Sequence, residues 1–91
     1  MTASRETIDQ WADDTGEPLV VFDGLDDAIV GIMQSYTKPT RVIYSYDKII
    51  TLLINQGMSY DEALDYFGFN IECLYAGPHT PGILYDLEDY L

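Results

Sequence analysis

RVIYSYDKIITLLINQGMSYDEALDYF, residues 41–67, changes its hydrophobic period partway along, and that change decides the fold. Arg41-Val42-Ile43-Tyr44 has the β-branched and aromatic composition of a pleated, half-buried strand. From Ser45 the apolar residues recur at helical spacing: Ile49, Leu52 and Leu53 share one face, and Ile50 and Ile54 widen it. Ser45 is the candidate N-cap of this helix and Gly57 its stop. Ser59-Tyr60-Asp61-Glu62 then has the spacing of a capping box, the strongest helix-start signal in the chain. Ala63, Leu64, Phe67, Ile71, Leu74 and Tyr75 follow at three- and four-residue steps, which predicts one continuous helix of about four turns. Gly68 interrupts that pattern at a cost of roughly 1 kcal/mol against alanine, pointing to a kink or a close packing contact.

Upstream, Thr37-Lys38-Pro39-Thr40 reads as a turn. Ile29, Val30 and Ile32 in the run from Ala28 to Ser35 favour a strand over a helix, so the two runs form a hairpin. Leu19-Val20-Val21-Phe22, closed by the turn chemistry of Asp23-Gly24, predicts a further strand. Thr2 to Thr15 is expected to be a short helix, with Ile8 and Trp11 at helical spacing, Thr7 and Gln10 at capping-box spacing, and Gly16 and Pro18 as its stop. Downstream, Ile83-Leu84-Tyr85 is a candidate short edge strand before an acidic end. Strands followed by helices indicate an α+β fold: a small antiparallel sheet of a strand plus a hairpin, covered by two consecutive C-terminal helices, with a short N-terminal helix. Residues 1–91 read as one domain, divided into an N-terminal helical segment (1–17), strands (18–44), two helices (45–76) and an acidic tail (77–91).

The charge is as informative as the pattern. The 91 residues carry 16 acids, four Lys plus Arg and one His, for a net charge of −12, yet 47% of them are apolar. Eight Tyr, three Phe and one Trp distinguish the chain from a disordered acidic tail, which lacks the apolar surface to offset chain entropy. A chain this long buries only roughly 60–65% of its unfolded surface, so the core is adequate rather than generous. Residues 1–27 hold eight acids and one base, residues 28–60 one acid and three bases, and residues 61–91 seven acids and no base. With no basic cluster to neutralise phosphates, direct nucleic-acid binding is excluded, and so is attachment to an anionic membrane. The sequence shows no basic-then-apolar leader and no run of 18 apolar residues, and its lone Cys73 can make no internal disulfide. The expectation is a protein of a reducing cytoplasm.

The segments DGLDDAIVGI (23–32), YSYDKIITLL (44–53), GMSYDEALDYFGFN (57–70) and GPHTP (77–81) resemble a family of small acidic proteins of bacteriophages, prophages and their bacterial hosts. The likeness covers roughly two thirds of the chain. It implies a phage-type accessory protein in the host-cell cytoplasm and the same strand, hairpin, helix and helix order. It brings no catalytic residue and no cofactor.

Few residues suggest catalysis. Asp23, Asp26 and Asp27 cluster in a turn, as carboxylates around a hard cation do, but they match no calcium-loop spacing and read as a solvated turn with a cap. His79, between Pro78 and Pro81, could pair with Asp86 or Glu88, yet no motif places a nucleophile beside it. Phosphate-binding glycine loops and nucleophile elbows are absent from the sequence. No enzyme, metal or cofactor is expected. Residues 49–70 superficially resemble helix-turn-helix, but Asp61, Glu62, Asp65 and Glu72 on the second helix would repel phosphates.

That row of acids suggests the opposite use. Asp61 and Asp65 lie one turn apart, about 6 Å along a helix, and Glu72 two turns beyond on the same side, a pitch of the order of phosphate spacing. With Asp13, Asp14, Glu17, Asp86, Glu88 and Asp89 in support, the row would imitate a nucleic-acid backbone for a basic host or defence protein. The activity expected is inhibition of the anti-restriction or anti-CRISPR kind. The alternative is a structural or assembly module with no inhibitory role, in which Tyr66, Phe69 and Cys73 form a second apolar stripe and the seam of a homodimer.

Overall fold

A computed structural model of the protein describes residues 5–72, 74 and 77–90, with the backbone alone for 89 and 90. The elements run α1 (Arg5–Thr15), β1 (Ile29–Ser35), β2 (Lys38–Ser45), α2 (Tyr46–Asn55), α3 (Tyr60–Phe67) and β3 (Gly82–Leu84). Single helical turns at Asp26–Ala28 and Leu87–Tyr90 precede β1 and follow β3. The fold is α+β, with a short N-terminal helix, a three-stranded sheet and two consecutive helices after the hairpin.

The start signals act as their chemistry requires. The Ser45 hydroxyl accepts from the Lys48 amide at 3.3 Å and opens α2. At α3 the Ser59 hydroxyl accepts from the Glu62 amide at 3.2 Å, while the Glu62 carboxylate accepts from the Ser59 amide at 3.0 Å, so the box closes both ways. Hydrogen bonding to the carboxylate by Ser59, from its backbone amide foremost and then its side chain, holds the Glu62 carboxyl below its ordinary range. Gly57 adopts φ 108°, a left-handed value that only glycine takes without strain, and ends α2. α1 ends likewise at Gly16, whose amide reaches Ala12 O at 2.8 Å. Thr7 lies within α1 rather than at its start, so its capping spacing with Gln10 is incidental.

Four expectations are corrected. Leu19 to Phe22 joins no ladder: it meets Tyr44 only through the side-chain hydroxyl, and the Tyr44 backbone is already paired with Ile29 on one side and Ile83 on the other. The third strand is instead Gly82–Leu84, and it pairs with β2 in parallel, so the sheet is mixed, with only its hairpin antiparallel. β3 runs close to β2 at Gly82, where a Cβ would stand 2.8 Å from Ile43 Cδ1 and oblige that side chain to shift. Finally, the stripe beyond Phe67 is not continuous α-helix. The chain widens into a π-type turn at Gly68–Glu72. Gly68 itself keeps right-handed φ and ψ, and a Cβ there would meet nothing within 4 Å. The hairpin turn is also tighter than expected, and Lys38-Pro39-Thr40 belongs to β2. Gln34 alone lies between the paired residues Met33 and Ser35, opposite both Pro39 and Thr40, a bulge that accommodates the missing proline amide.

The core lies between the sheet and the two helices. Ile29, Val42, Tyr44, Ile49, Leu53, Ala63 and Phe67 are buried at its centre, with Ile8, Phe22 and Leu25 closing one side. Tyr44 is the largest fully buried side chain. Its hydroxyl accepts from the Phe22 amide at 2.9 Å, and its ring packs against Phe22 with centroids 4.9 Å apart. Burial pushes the hydroxyl above the usual tyrosine range, opposed in part by the Phe22 amide.

Tyr44→Phe keeps the ring but strands the buried Phe22 amide, and urea unfolding should show a loss of about 1–3 kcal/mol with an unchanged slope. A phenol whose folded pKa is raised contributes stability that is complete below its ordinary pKa of 10.0 and is lost above it, so the same variant should also decline less at alkaline pH. The Glu62 carboxyl is depressed, so its contribution is present above its ordinary value of 4.5 and is lost as pH falls below it. Glu62→Gln should therefore lose less stability than the parent on acidification through that range.

Candidate functional site

The capping box fixes where α3 starts, and packing of its buried side sets its rotation and so decides which residues face out. Ala63 and Phe67 are buried, with Ile71 continuing the buried side through the wider turn. Glu62, Asp65, Tyr66 and Phe69 then fall on the opposite side at steps of three and four residues. They line one shallow hollow together with Met58 and Asn70. Phe69 is 82% exposed and Tyr66 43%, an unusual presentation for a helix of so small a domain. Asn70 Nδ2 donates to Tyr66 O at 3.2 Å, bridging the point where the helix widens.

A second hollow of about 290 Å³ adjoins the first through Tyr66 and Asn70, which line both. Its other walls are Phe22, Asp23, Gly24 and Leu25 from the connector, Leu53 and Gln56 from α2, and Ile71. The result is one continuous face with exposed aromatic rings at its centre and Asp23, Glu62 and Asp65 around them. Asp61, exposed and one turn before Asp65, extends the acidic edge.

The structure thus joins two sets of residues that the sequence kept apart, the acids of α3 and the Tyr66 and Phe69 stripe. It does not join Glu72 to them. Because the π-type turn advances each residue by less than the roughly 100° of an α-helix, Glu72 leaves the Asp61 and Asp65 row. It lines a different hollow, with Arg41, Thr80 and Gly82. Asp13 and Asp14 are exposed near the end of α1, with Glu17 partly buried just beyond. Asp86 accepts from the Glu88 amide at 3.0 Å in the last turn, where both are exposed. Cys73 and the Asp89 side chain lie outside the described residues.

The remaining candidates have structural partners. His79 Nδ1 donates to Thr40 O at 2.8 Å, and Arg41 Nε donates to Thr80 O at 2.8 Å. These two bonds fasten the 77–81 loop to β2 and so position β3. Asp26 faces Arg5 Nη1 at 3.8 Å, and among the described residues no three His, Cys, Asp or Glu side chains gather where they could hold a metal ion. Arg5 makes both ion pairs found among the described residues, the other with Asp9 at 3.5 Å. The α3 carboxylates therefore face solvent with no cation of the described chain beside them.

The chain matches no family model, and no curated protein or solved structure is significantly similar to it. Among the described residues, no helix is long and apolar enough to cross a membrane.

From sequence, Glu62 is a cap and one of the acids that repel phosphates, Asp23 a turn residue and metal candidate, and Asn70 has no role. Counting three and four residues back from Phe69 recovers Glu62, Asp65 and Tyr66, but nothing local brings Asp23 across from the connector.

Asp65 sits four residues from Asp61 and three from Glu62, so like charges crowd one helix side. Asp65→Lys replaces that repulsion with an Asp61 to lysine pair. It should raise the melting temperature by roughly 1–3 °C at low salt, the gain fading as salt is added. Asp61→Lys should not, because Asp61 lies in the first turn, where the helix dipole favours a negative charge.

Proposed function

We propose that this protein acts by binding, and that the Asp61, Glu62, Asp65, Tyr66 and Phe69 face engages a basic site on a nucleic-acid-binding protein. The observation that carries this is exposed aromatic surface bordered by carboxylates without a cation partner. Lysine and arginine side chains meet both needs at once, pairing with the acids and lying over the faces of the rings. Such a face draws a basic groove in by long-range attraction, and the aromatic centre supplies contact area after the encounter. The resemblance to phage and prophage proteins points to a host or defence protein as the target, held in the host cytoplasm. Occupying its groove would exclude DNA or RNA, an inhibitory action of the anti-restriction or anti-CRISPR type. Asp13, Asp14, Glu17, Asp86, Glu88, Asp89 and the displaced Glu72 add to the field rather than to the contact. The second reading, an assembly module joined through Tyr66 and Phe69, draws on the exposure of Phe69.

Immobilised protein challenged with host extract and eluted in rising salt should retain a nucleic-acid-binding protein that duplex DNA displaces. Capture should weaken on the order of tenfold or more between about 50 and about 200 mM salt. Asp65→Lys, which spares the fold, should weaken it by a similar factor. Capture that ignores salt, DNA and Asp65→Lys but disappears with Phe69→Ser would transfer the role to the assembly reading.

A further inference from the structure

The sheet has two unequal outer edges. β3 is only three residues long, is preceded by Pro81 and is followed by Asp86, the usual ways of blunting an edge. β1 is seven residues long and pairs on one side only. Among the described residues, no hydrogen bond besides its ladder with β2 reaches positions 30–35. In a chain with 20 charged residues, Ile29-Val30-Gly31-Ile32-Met33-Gln34-Ser35 has none, and it has no proline. Val30 and Met33 are 38% and 40% exposed along it.

We infer that β1 is a self-pairing strand: two copies of this chain join β1 to β1 antiparallel, about a two-fold axis near Ile32, to form a six-stranded sheet. The inference is independent of the α3 face. An uncharged strand of matched length is what this edge can pair with while burying no charge, and a second copy supplies one. The rest of the molecule favours the antiparallel sense. Centred on Ile32, that pairing sets Ser35 opposite Ile29 of the other copy and carries the hairpin tip, with Lys38, beside the other copy's Asp26 and Asp27. A parallel pairing would bring the acids of one copy to the acids of the other and lysine to lysine. The antiparallel register also joins the two chains through the one segment, 28–60, that carries net positive charge, while both acidic segments stay outside the pairing strands.

Light scattering on eluting protein, from micromolar to sub-millimolar concentration, should give twice the chain mass of 10.3 kDa at the upper end. Amide exchange at residues 30–34 should slow as the dimer forms. Val30→Lys/Met33→Lys should remain monomeric with an unchanged circular dichroism spectrum. Those lysines lower the net charge, so lost pairing cannot come from longer-range repulsion. Lys38→Asp should weaken the dimer, and Asp27→Lys/Lys38→Asp, with the parental net charge, should restore it. Two results overturn the proposal: a monomer at every concentration with freely exchanging β1 amides, or a dimer that survives Val30→Lys/Met33→Lys and is lost with Phe69→Ser. If the double lysine variant fails to fold, the charge swap decides, and a swap that restores nothing also overturns it.

Discussion

The bond from the Phe22 amide to the Tyr44 hydroxyl is the constraint on which the rest of the architecture turns. Tyr44 stands on the central strand, level with Ile29 of β1 and Ile83 of β3, and its ring is buried without residue. A phenol taken so far from water needs a partner, because an unpaired buried polar group costs as much as the hydrogen bond it lacks. The connector supplies that partner with a backbone donor. The consequence is mutual: the tyrosine is satisfied, and the 17–25 connector is fixed across the core by one bond instead of a ladder. The Asp23 turn follows directly from the anchored Phe22, while α1 is held by the buried Ile8 and by Arg5 facing Asp26.

Downstream of Tyr44 the same strand sets the helices. Ser45 ends β2 and caps α2 at once, so strand and helix meet without a loop, and Tyr46 lands directly behind the buried tyrosine. The Tyr46 ring packs edge-on against Phe67 at 5.0 Å and stacks with Tyr85 at 4.8 Å, tying α3 and the segment after β3 to one point. This aromatic column, with the capping box, leaves α3 little freedom to rotate. Its acid and aromatic face is therefore a product of packing on the buried side. Phe67 in and Phe69 out are two statements of one rotation.

This explains what was legible in the sequence. The hairpin, the two caps and the α3 stripe depend on neighbours within a few residues, and residues 28–67 display them plainly. Leu19 to Phe22 has the composition of a strand, but strand formation needs an open edge at the right level, and that is a property of the whole sheet. The parallel pairing of Gly82–Leu84 depends on Arg41 and His79 holding a loop to β2, bonds of separation 39 along the chain. The π-type turn is equally non-local. Gly68 marks its position but not its character, since its own dihedrals are those of an ordinary helix. Missing that turn placed Glu72 in a row it does not join.

Charge and pattern then divide the molecule between two kinds of contact. The Debye length at physiological salt is about 8 Å, so carboxylates far from a contact are largely screened there, and the composition of the contact itself dominates. On α3 the contact is acidic and aromatic, and attraction for a cationic groove weakens as salt rises. At β1 the strand is neutral, while the two copies it would join each carry −12. In the proposed dimer, added salt relieves that mutual repulsion and weakens only the two symmetry-related Lys38 to Asp27 contacts. Salt therefore acts with opposite sign at the two surfaces. In the proposed dimer, a high net charge on a chain with one uncharged edge is a coherent arrangement: it disfavours close contact between acidic surfaces more than contact between neutral strands.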